Sequence, residues 1–463
     1  MPVYCLKKIE MKSHLKERVY LASPIWFQNV LVSLYGLLEH GSRYTGIYHT
    51  LSNQLFEDEF KGLKEQKLLA DTLLQGALSR AIKDVPYYRS LGIENTDIKE
   101  FPLLNRAEIF QAPEKFVSDK YEIKNLMTLY TGGSTGAPLK VYLTKDIRRK
   151  SYAFWNRFYK GIGFSIGEKK ATFVGRKVQE PDDNRPPFWR YNLIDRQVVF
   201  SSFHLTLENI PLYIDKLNSF KPKLIEGYPL SILRLAEYIL EHKTELSFVP
   251  AGISTSSENF SAEQRKKMED AFGCKVFDQY GSAESVVFAS ECEYGQKHIA
   301  VEYGLVEVLK ENGEIVNEGE GELVVTSLLN DVMPLIRYRI GDLGKVVIKE
   351  CACKRETPIL EELYGKVGSV IVVEGKKVST AAIAIAFEYL EHVTKSQIIQ
   401  NEENKVIVKL VTTPGFSNEE QDFMLWELKK MLSQKLEICV EIVEDIPPAK
   451  NGKYQMVVQN YYK

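Results

Sequence analysis

The residues best suited to chemistry begin with a glycine- and hydroxyl-rich run, Thr131-Gly132-Gly133-Ser134-Thr135-Gly136, with Lys140 just beyond it. Glycine permits positive φ, so successive N–H groups can turn into one concavity and hold an anion. Thr131, Ser134 and Thr135 add hydroxyl donors and Lys140 a mobile positive charge, which together suit the β- and γ-phosphates of a nucleotide. The run lacks the Gly-x4-Gly-Lys-[Ser/Thr] spacing of a Walker A loop. It also lacks the Gly-x-Gly-x-x-Gly that opens a dinucleotide-binding helix. Taken alone, it reads equally well as a hairpin turn of small residues. A second group joins Cys292 and His298 to Cys351 and Cys353. Three thiolates and one imidazole can make a tetrahedral structural zinc site. Cys-x-Cys is a less usual pair than Cys-x2-Cys, and chance placement is the competing reading.

The elements that position these residues follow from periodicity. Apolar residues recur at helical spacing from Leu55 to Val85, and Pro86 ends the pattern. From there to about Glu350, short β-rich runs alternate with helical stretches. Strands are expected at Leu126–Tyr130, Leu139–Thr144, Lys223–Glu226, Val249–Ser254 and Lys275–Asp278. Helices are expected near Pro229–His242 and Ser261–Phe272, the latter opened by a Ser261/Gln264 capping box. Such alternation predicts α/β layers with mostly parallel sheets. After Gly365 the order becomes strand (Val370–Val373), helix (Thr380–Glu391), strand (Lys395–Gln400), strand (Lys405–Val411), helix (Ser417–Leu432) and strand (Cys439–Val443). That βαββαβ order describes a compact α+β unit of about 100 residues.

Composition narrows the class. The 463-residue chain carries a formal net charge of −2, so no global basic field draws in nucleic acid, and none is expected as a partner. Six cysteines in a chain this long do not form a disulfide framework; with no signal peptide read at its start, a cytoplasmic protein is expected. The apolar stretch Pro24–Leu38 is too short and too polar to span a bilayer. Two placements fit it: a helix packed on the body, or one lying peripherally on a membrane surface.

Three further stretches stand in fixed order behind the glycine run: Asp278-Gln279-Tyr280-Gly281-Ser282-Ala283-Glu284, Arg337-Tyr-Arg339-Ile-Gly-Asp342 and Pro448-Ala-Lys-Asn-Gly-Lys453. Asp84-Val-Pro-Tyr-Tyr-Arg89, Phe101-Pro-Leu-Leu104 and Gly321-Glu-Leu-Val-Val-Thr326 accompany them. The ordered set resembles the core motifs of the adenylate-forming superfamily. Within it, the likeness is to the phenylacetate–CoA ligase-like and CapK-like group, the latter associated with surface polysaccharide synthesis. The resemblance implies a large, multi-subdomain α/β N-terminal domain over residues 1–364 and a small, mobile α+β domain over 365–463.

It also implies roles. Tyr280 would stack on adenine within the nucleotide-binding set Asp278–Ser282, Glu284 would hold Mg²⁺ against the ATP phosphates, and Asp342 would accept the ribose hydroxyls. Arg339 would help on the ribose or phosphate side, and Ser257 and Glu258 would flank the nucleotide. Lys453 would bridge carboxylate and α-phosphate during adenylation, an electrostatic contribution of roughly 10²–10³ in rate for one donor. The family's architecture places His204, Tyr228 and Ser254 around the substrate. Each residue has a plainer reading: a packed tyrosine, a helix-start carboxylate, a turn aspartate, a solvated tail lysine.

Where family members carry a Gly-Arg-x-Asp-Asp hinge, this chain reads Gly365-Lys366-Val-Gly368-Ser369, keeping the positive charge and losing the acidic pair. That departure bears on the second half-reaction. The leading expectation is an ATP-dependent ligase that makes an acyl adenylate and then an acyl-CoA thioester. The alternatives are acyl transfer to an amine or hydroxyl in surface polysaccharide assembly, and a nucleotide-binding regulator without turnover.

Overall fold

The computed structural model describes residues 19–133, 136–174, 178–180, 183–366, 370–379, 383, 386–387, 390, 392–447 and 456–461. Ser134, Thr135, Lys453 and most of the expected helix Thr380–Glu391 lie outside the described residues.

Helices open the chain: α1 (Ile25–Arg43), α2 (Ile47–Asp58), α3 (Leu63–Asp84), α4 (Pro86–Ser90) and α5 (Arg106–Gln111). The apolar pattern read from Leu55 to Val85 is thus two helices, parted where Gly62 takes an extended conformation as N-cap of α3. Glycine is poor in helix interiors and serves well at such a break. Pro86 ends α3 and begins α4, where a missing N–H costs nothing.

Strands β1 (Met127–Gly133) and β2 (Gly136–Leu143) form an antiparallel hairpin in which Gly133 pairs with Gly136. Helix α6 (Lys145–Ile162) follows, capped by the Thr144 hydroxyl, which accepts from the Ile147 N–H, and closed by left-handed Gly163. It is buried along most of its length among the aromatic rings of the first core, Phe154, Trp155, Phe158 and Tyr159.

The main sheet begins with β3 (Lys170–Val174), β4 (Trp189–Asn192) and β5 (Gln197–Ser201). After α7 (Ile210–Phe220) come β6 (Leu224–Gly227), α8 (Pro229–Glu241), β7 (Gly252–Ser256), α9 (Ala262–Phe272) and β8 (Val276–Gly281). Strands β5, β3, β6, β7 and β8 run parallel and share a second core with α7, α8 and α9. The expected Ser261/Gln264 capping box opens α9. Gly227 ends β6 where a Cβ would stand 2.3 Å from the Phe173 carbonyl oxygen, so no larger residue lets β3 and β6 come this close.

The sheet then continues through β9 (Phe288–Glu291), β10 (Lys297–Ile299), β11 (Gly304–Leu309), β12 (Ile315–Val316), β13 (Gly319–Ser327), β14 (Tyr338–Val347) and β15 (Ile359–Lys366). The order is β12-β11-β13-β14-β15-β10-β9-β8-β7-β6-β3-β5-β4, thirteen strands among the described residues. Everything beyond β8 pairs antiparallel, so the sheet is mixed rather than mostly parallel. Short turns carrying Gly295 and Gly313 at positive φ replace the helical crossovers that parallel strands require.

The tail is a separate unit. β16 (Val370–Val373) pairs with β17 (Lys376–Ser379), while β18 (Val393–Glu402), β19 (Lys405–Thr412), β20 (Glu437–Ile442) and β21 (Val457–Gln459) form a sheet in the order β20-β19-β18-β21. Helix α10 (Asn418–Met431) opens with the Ser417/Glu420 capping box, and Met424 and Leu428 join Ile398, Val406 and Val408 in a third core. β17 and β21 are additions to the order read from sequence.

Candidate active site

Strand β8 carries the first part of the site. Asp278 accepts from Lys297 Nζ at 2.5 Å and Thr255 Oγ1 at 2.9 Å, and the Gln279 amide donates to the Tyr280 carbonyl at 2.7 Å. Both side chains are thereby tied within the sheet. Tyr280 is buried, and its hydroxyl donates to Asp342 Oδ2 at 2.8 Å. Burial pushes that phenol well above its usual range, and the negative charges of Asp342 and then Glu284 push it further, so it stays a neutral donor. Asp342 lies on β14 directly opposite Lys366 on β15, whose ammonium stands 2.9 Å from Asp342 Oδ1 and 3.2 Å from the Ile340 carbonyl. Three strands therefore converge on one carboxylate. A carboxylate offers about four lone-pair sites, so both oxygens keep capacity for further donors.

Glu284 is buried just beyond β8, and among the described residues it pairs with Arg106, 3.7 Å away at the start of α5. Arg106 is absent from the sequence reading. Its placement follows from the Phe101–Leu104 stretch: the Leu104 N–H donates to Arg337 O and the Arg339 N–H to Leu104 O, which docks this segment along β14. The helix that Arg106 opens packs against both β2 and β14, linking the glycine hairpin to the Asp342 strand. Tyr338 completes the cluster; burial and then Glu284 raise its hydroxyl, while Arg106 opposes them.

Arg337 is buried, with its guanidinium 3.3 Å from both carboxylate oxygens of Glu307. Arg339 is bound to Glu322 at 2.5 Å and reaches Asn105 at 3.4 Å, on the α5 side of β14. His204 is a core residue: its ring stacks on Phe188, Nδ1 meets Ser201 Oγ at 2.7 Å and Nε2 meets Glu180 O at 3.1 Å. Both ring nitrogens are thus engaged, and the residue is 2% exposed. Ser254 is buried in β7, Tyr228 is half-buried as N-cap of α8, and Lys140 is half-buried in β2. Ser257 holds φ +76°, a strained value for a residue with a side chain. Glu258 Oε2 and Ser282 Oγ are buried with no hydrogen-bond partner among the described residues. Burial raises the Glu258 carboxyl above its usual range. Buried polar atoms left without a partner are costly.

Cys292, His298, Cys351 and Cys353 come together, their ligand atoms all within 4.8 Å of one another. Cys292 Sγ lies 3.8 Å from Cys351 Sγ, and Cys353 Sγ 3.2 Å from His298 Nε2. His298 Nδ1 contacts Thr357 Oγ1 at 3.1 Å, which turns Nε2 toward the thiols.

Comparison with known proteins agrees with this architecture. The family model for the CapK C-terminal domain matches residues 370–460. Protein CapK of Staphylococcus aureus is 29% identical over 96% of this chain and 99% of its own. Phenylacetate-coenzyme A ligase of Thermus thermophilus is 26% identical over 52% of this chain and 61% of its own. A 2-hydroxyisobutyryl-CoA ligase, solved in its postadenylation state, superposes with a TM-score of 0.63 at 16% identity, covering 87% of this chain and 91% of that one. The fold is that of the 2-hydroxyisobutyryl-CoA ligase. The chain is thus similar to Protein CapK along nearly its whole length and to a phenylacetate-coenzyme A ligase along about half of it.

Proposed function

We propose that this chain activates a carboxylic acid with ATP. A carboxylate oxygen attacks the α-phosphorus, the bond to the bridging oxygen of the β-phosphate breaks, and pyrophosphate leaves with that electron pair. The observation that carries the reading is the meeting of Tyr280, Asp342 and Lys366, with Glu284 and Arg106 beside them. Asp342 accepts the ribose hydroxyls, Tyr280 borders the adenine, and the N–H groups of the β1–β2 turn hold phosphate. Glu258 and Ser282 supply buried polar atoms for a nucleotide to complete. Arg106 offers positive charge to the phosphates. Glu284 is the residue to hold Mg²⁺, a hard cation that takes oxygen ligands and neutralises the polyphosphate when bound; its carboxylate is not locked in a short ion pair. Lys453 neutralises charge at the reacting phosphorus.

In the second step a nucleophile attacks the acyl carbon, AMP leaves and the nucleophile gives up its proton. CoA is the first choice of acceptor. An amine or hydroxyl in surface polysaccharide assembly is the second reading, supported by likeness to Protein CapK along nearly the whole chain and by the missing acidic pair at Gly368-Ser369.

The experiment is a carboxylate panel of aromatic acids, amino acids and sugar acids, scored by pyrophosphate release with and without CoA. Release with at least one acid is expected, and thioester accumulation with free CoA identifies the first acceptor. Silence across the panel, with ATP still bound, favours the regulator.

The four Cys/His donors fit a structural zinc ion. With Zn–S near 2.3 Å, a tetrahedron has S–S edges of about 3.8 Å, and Cys292–Cys351 matches this. The ion would join the β9–β10 hairpin to the segment before β15. About one equivalent of zinc is expected in purified protein, with a lowered Tm after chelation. Less than about a tenth of an equivalent contradicts the site.

A further inference from the structure

Helix α1 is amphipathic in the wrong sense for a helix packed on a protein body. Its polar side faces inward, against edge strand β4 and the turn that follows. Gln28 Oε1 accepts from Arg190 Nε, Asn29 Oδ1 from the Tyr191 N–H at 2.9 Å, and Ser33 Oγ from the Leu193 N–H at 3.1 Å. A turn further on, His40 Nδ1 meets Asp195 at 3.0 Å. Gly36 lies so close that a Cβ would stand 2.2 Å from the Asn192 side-chain oxygen. The outward side is apolar: Trp26, Val30, Leu34, Leu37 and Leu38 are exposed, Trp26 by 68% and Leu38 by 73%. These positions recur at helical spacing and form one stripe. Leu193 and Ile194, on the turn that Ser33 holds, are exposed as well. No charged residue occurs from Pro24 to Leu38. No described helix is long and apolar enough to cross a membrane.

A contiguous apolar face of this kind marks an interaction surface. The sequence that leads into it indicates the occupant. Lys7, Lys8, Lys12, Lys16 and Arg18 stand against Glu10 and Glu17 in the residues before the helix. A basic segment joined to an apolar helical face, with a tryptophan at the helix start, complements an anionic bilayer: cations meet the headgroups while the apolar side chains enter the acyl boundary.

We propose that the outward face of α1, with the basic segment before it, docks this enzyme on an anionic phospholipid surface. The test is co-sedimentation of the full chain with vesicles of equimolar phosphatidylglycerol and phosphatidylcholine, against pure phosphatidylcholine. Binding to the mixed vesicles is expected at low salt, weaker by about tenfold or more on the neutral ones. The L34E/L38E variant should lose vesicle binding while keeping its circular dichroism spectrum and its pyrophosphate release. The K7E/K8E/K12E variant should lose the preference for anionic vesicles. The proposal is overturned if the unmodified chain ignores the mixed vesicles, or if L34E/L38E binds them undiminished. It is equally overturned if the chain forms a stable dimer that L34E/L38E disperses and no vesicle binding occurs.

Discussion

Asp342 receives the Tyr280 hydroxyl on one oxygen and the Lys366 ammonium on the other. Replacing it with asparagine removes the charge that both partners face and that the ribose hydroxyls would use. Hydrogen bonds to a charged group contribute about 1.5–3 kcal/mol, so Asp342→Asn should raise the KM for ATP about 10- to 100-fold. Steady-state kinetics and Tm together check this: a lowered Tm with unchanged KM would make Asp342 a turn-holding residue only. Tyr280, Glu284 and Asp342 stand out in the sequence because their motifs fall in a fixed order, and the fold brings the Tyr280 hydroxyl to Asp342. Arg106 does not, since nothing in its own neighbourhood ties it to Glu284. Only the pairing of Leu104 with β14 brings the two together. His204 shows the converse: its ring partners, Phe188, Ser201 and the Glu180 carbonyl, are a product of packing that no local pattern announces.

At the scale of elements, the start of β14 does structural work that the motif conceals. Arg337 and Glu307 form a buried ion pair between β11 and the turn into β14. Burial raises the Glu307 carboxyl, and the Arg337 charge only partly offsets that. Arg337→Met leaves this carboxylate unpaired and should destabilise the protein by about 3–5 kcal/mol. Chemical denaturation measures it, and a loss below about 1 kcal/mol would show that the pair adds nothing net. Helix positions were readable because caps and periodicity agree, as at Ser261/Gln264 and Ser417/Glu420. The sheet was less readable. Hairpin strands such as β9, β10 and β12 are too short for alternation to register, and the partner of each strand is a long-range choice.

For the whole molecule, the proposed chemistry joins a nucleotide site on the large sheet to the Lys453 charge in the tail. Lys453→Ala should lower carboxylate-dependent pyrophosphate exchange by about 10²–10³ while ATP binding, followed by calorimetry, persists. Undiminished exchange would remove the tail from the chemistry. The smaller C-terminal sheet was legible from the change in element order after Gly365. The last strand of the large sheet, β15, runs on to Lys366, which places the residue that touches Asp342 at the junction itself.

The most direct measurement uses an accepted acid labelled with oxygen-18 in its carboxylate. Attack on the α-phosphorus followed by acyl transfer leaves a carboxylate oxygen on AMP, so one labelled oxygen should appear in the phosphate of AMP at each turnover. Label in orthophosphate, or AMP free of label, would contradict adenylate formation.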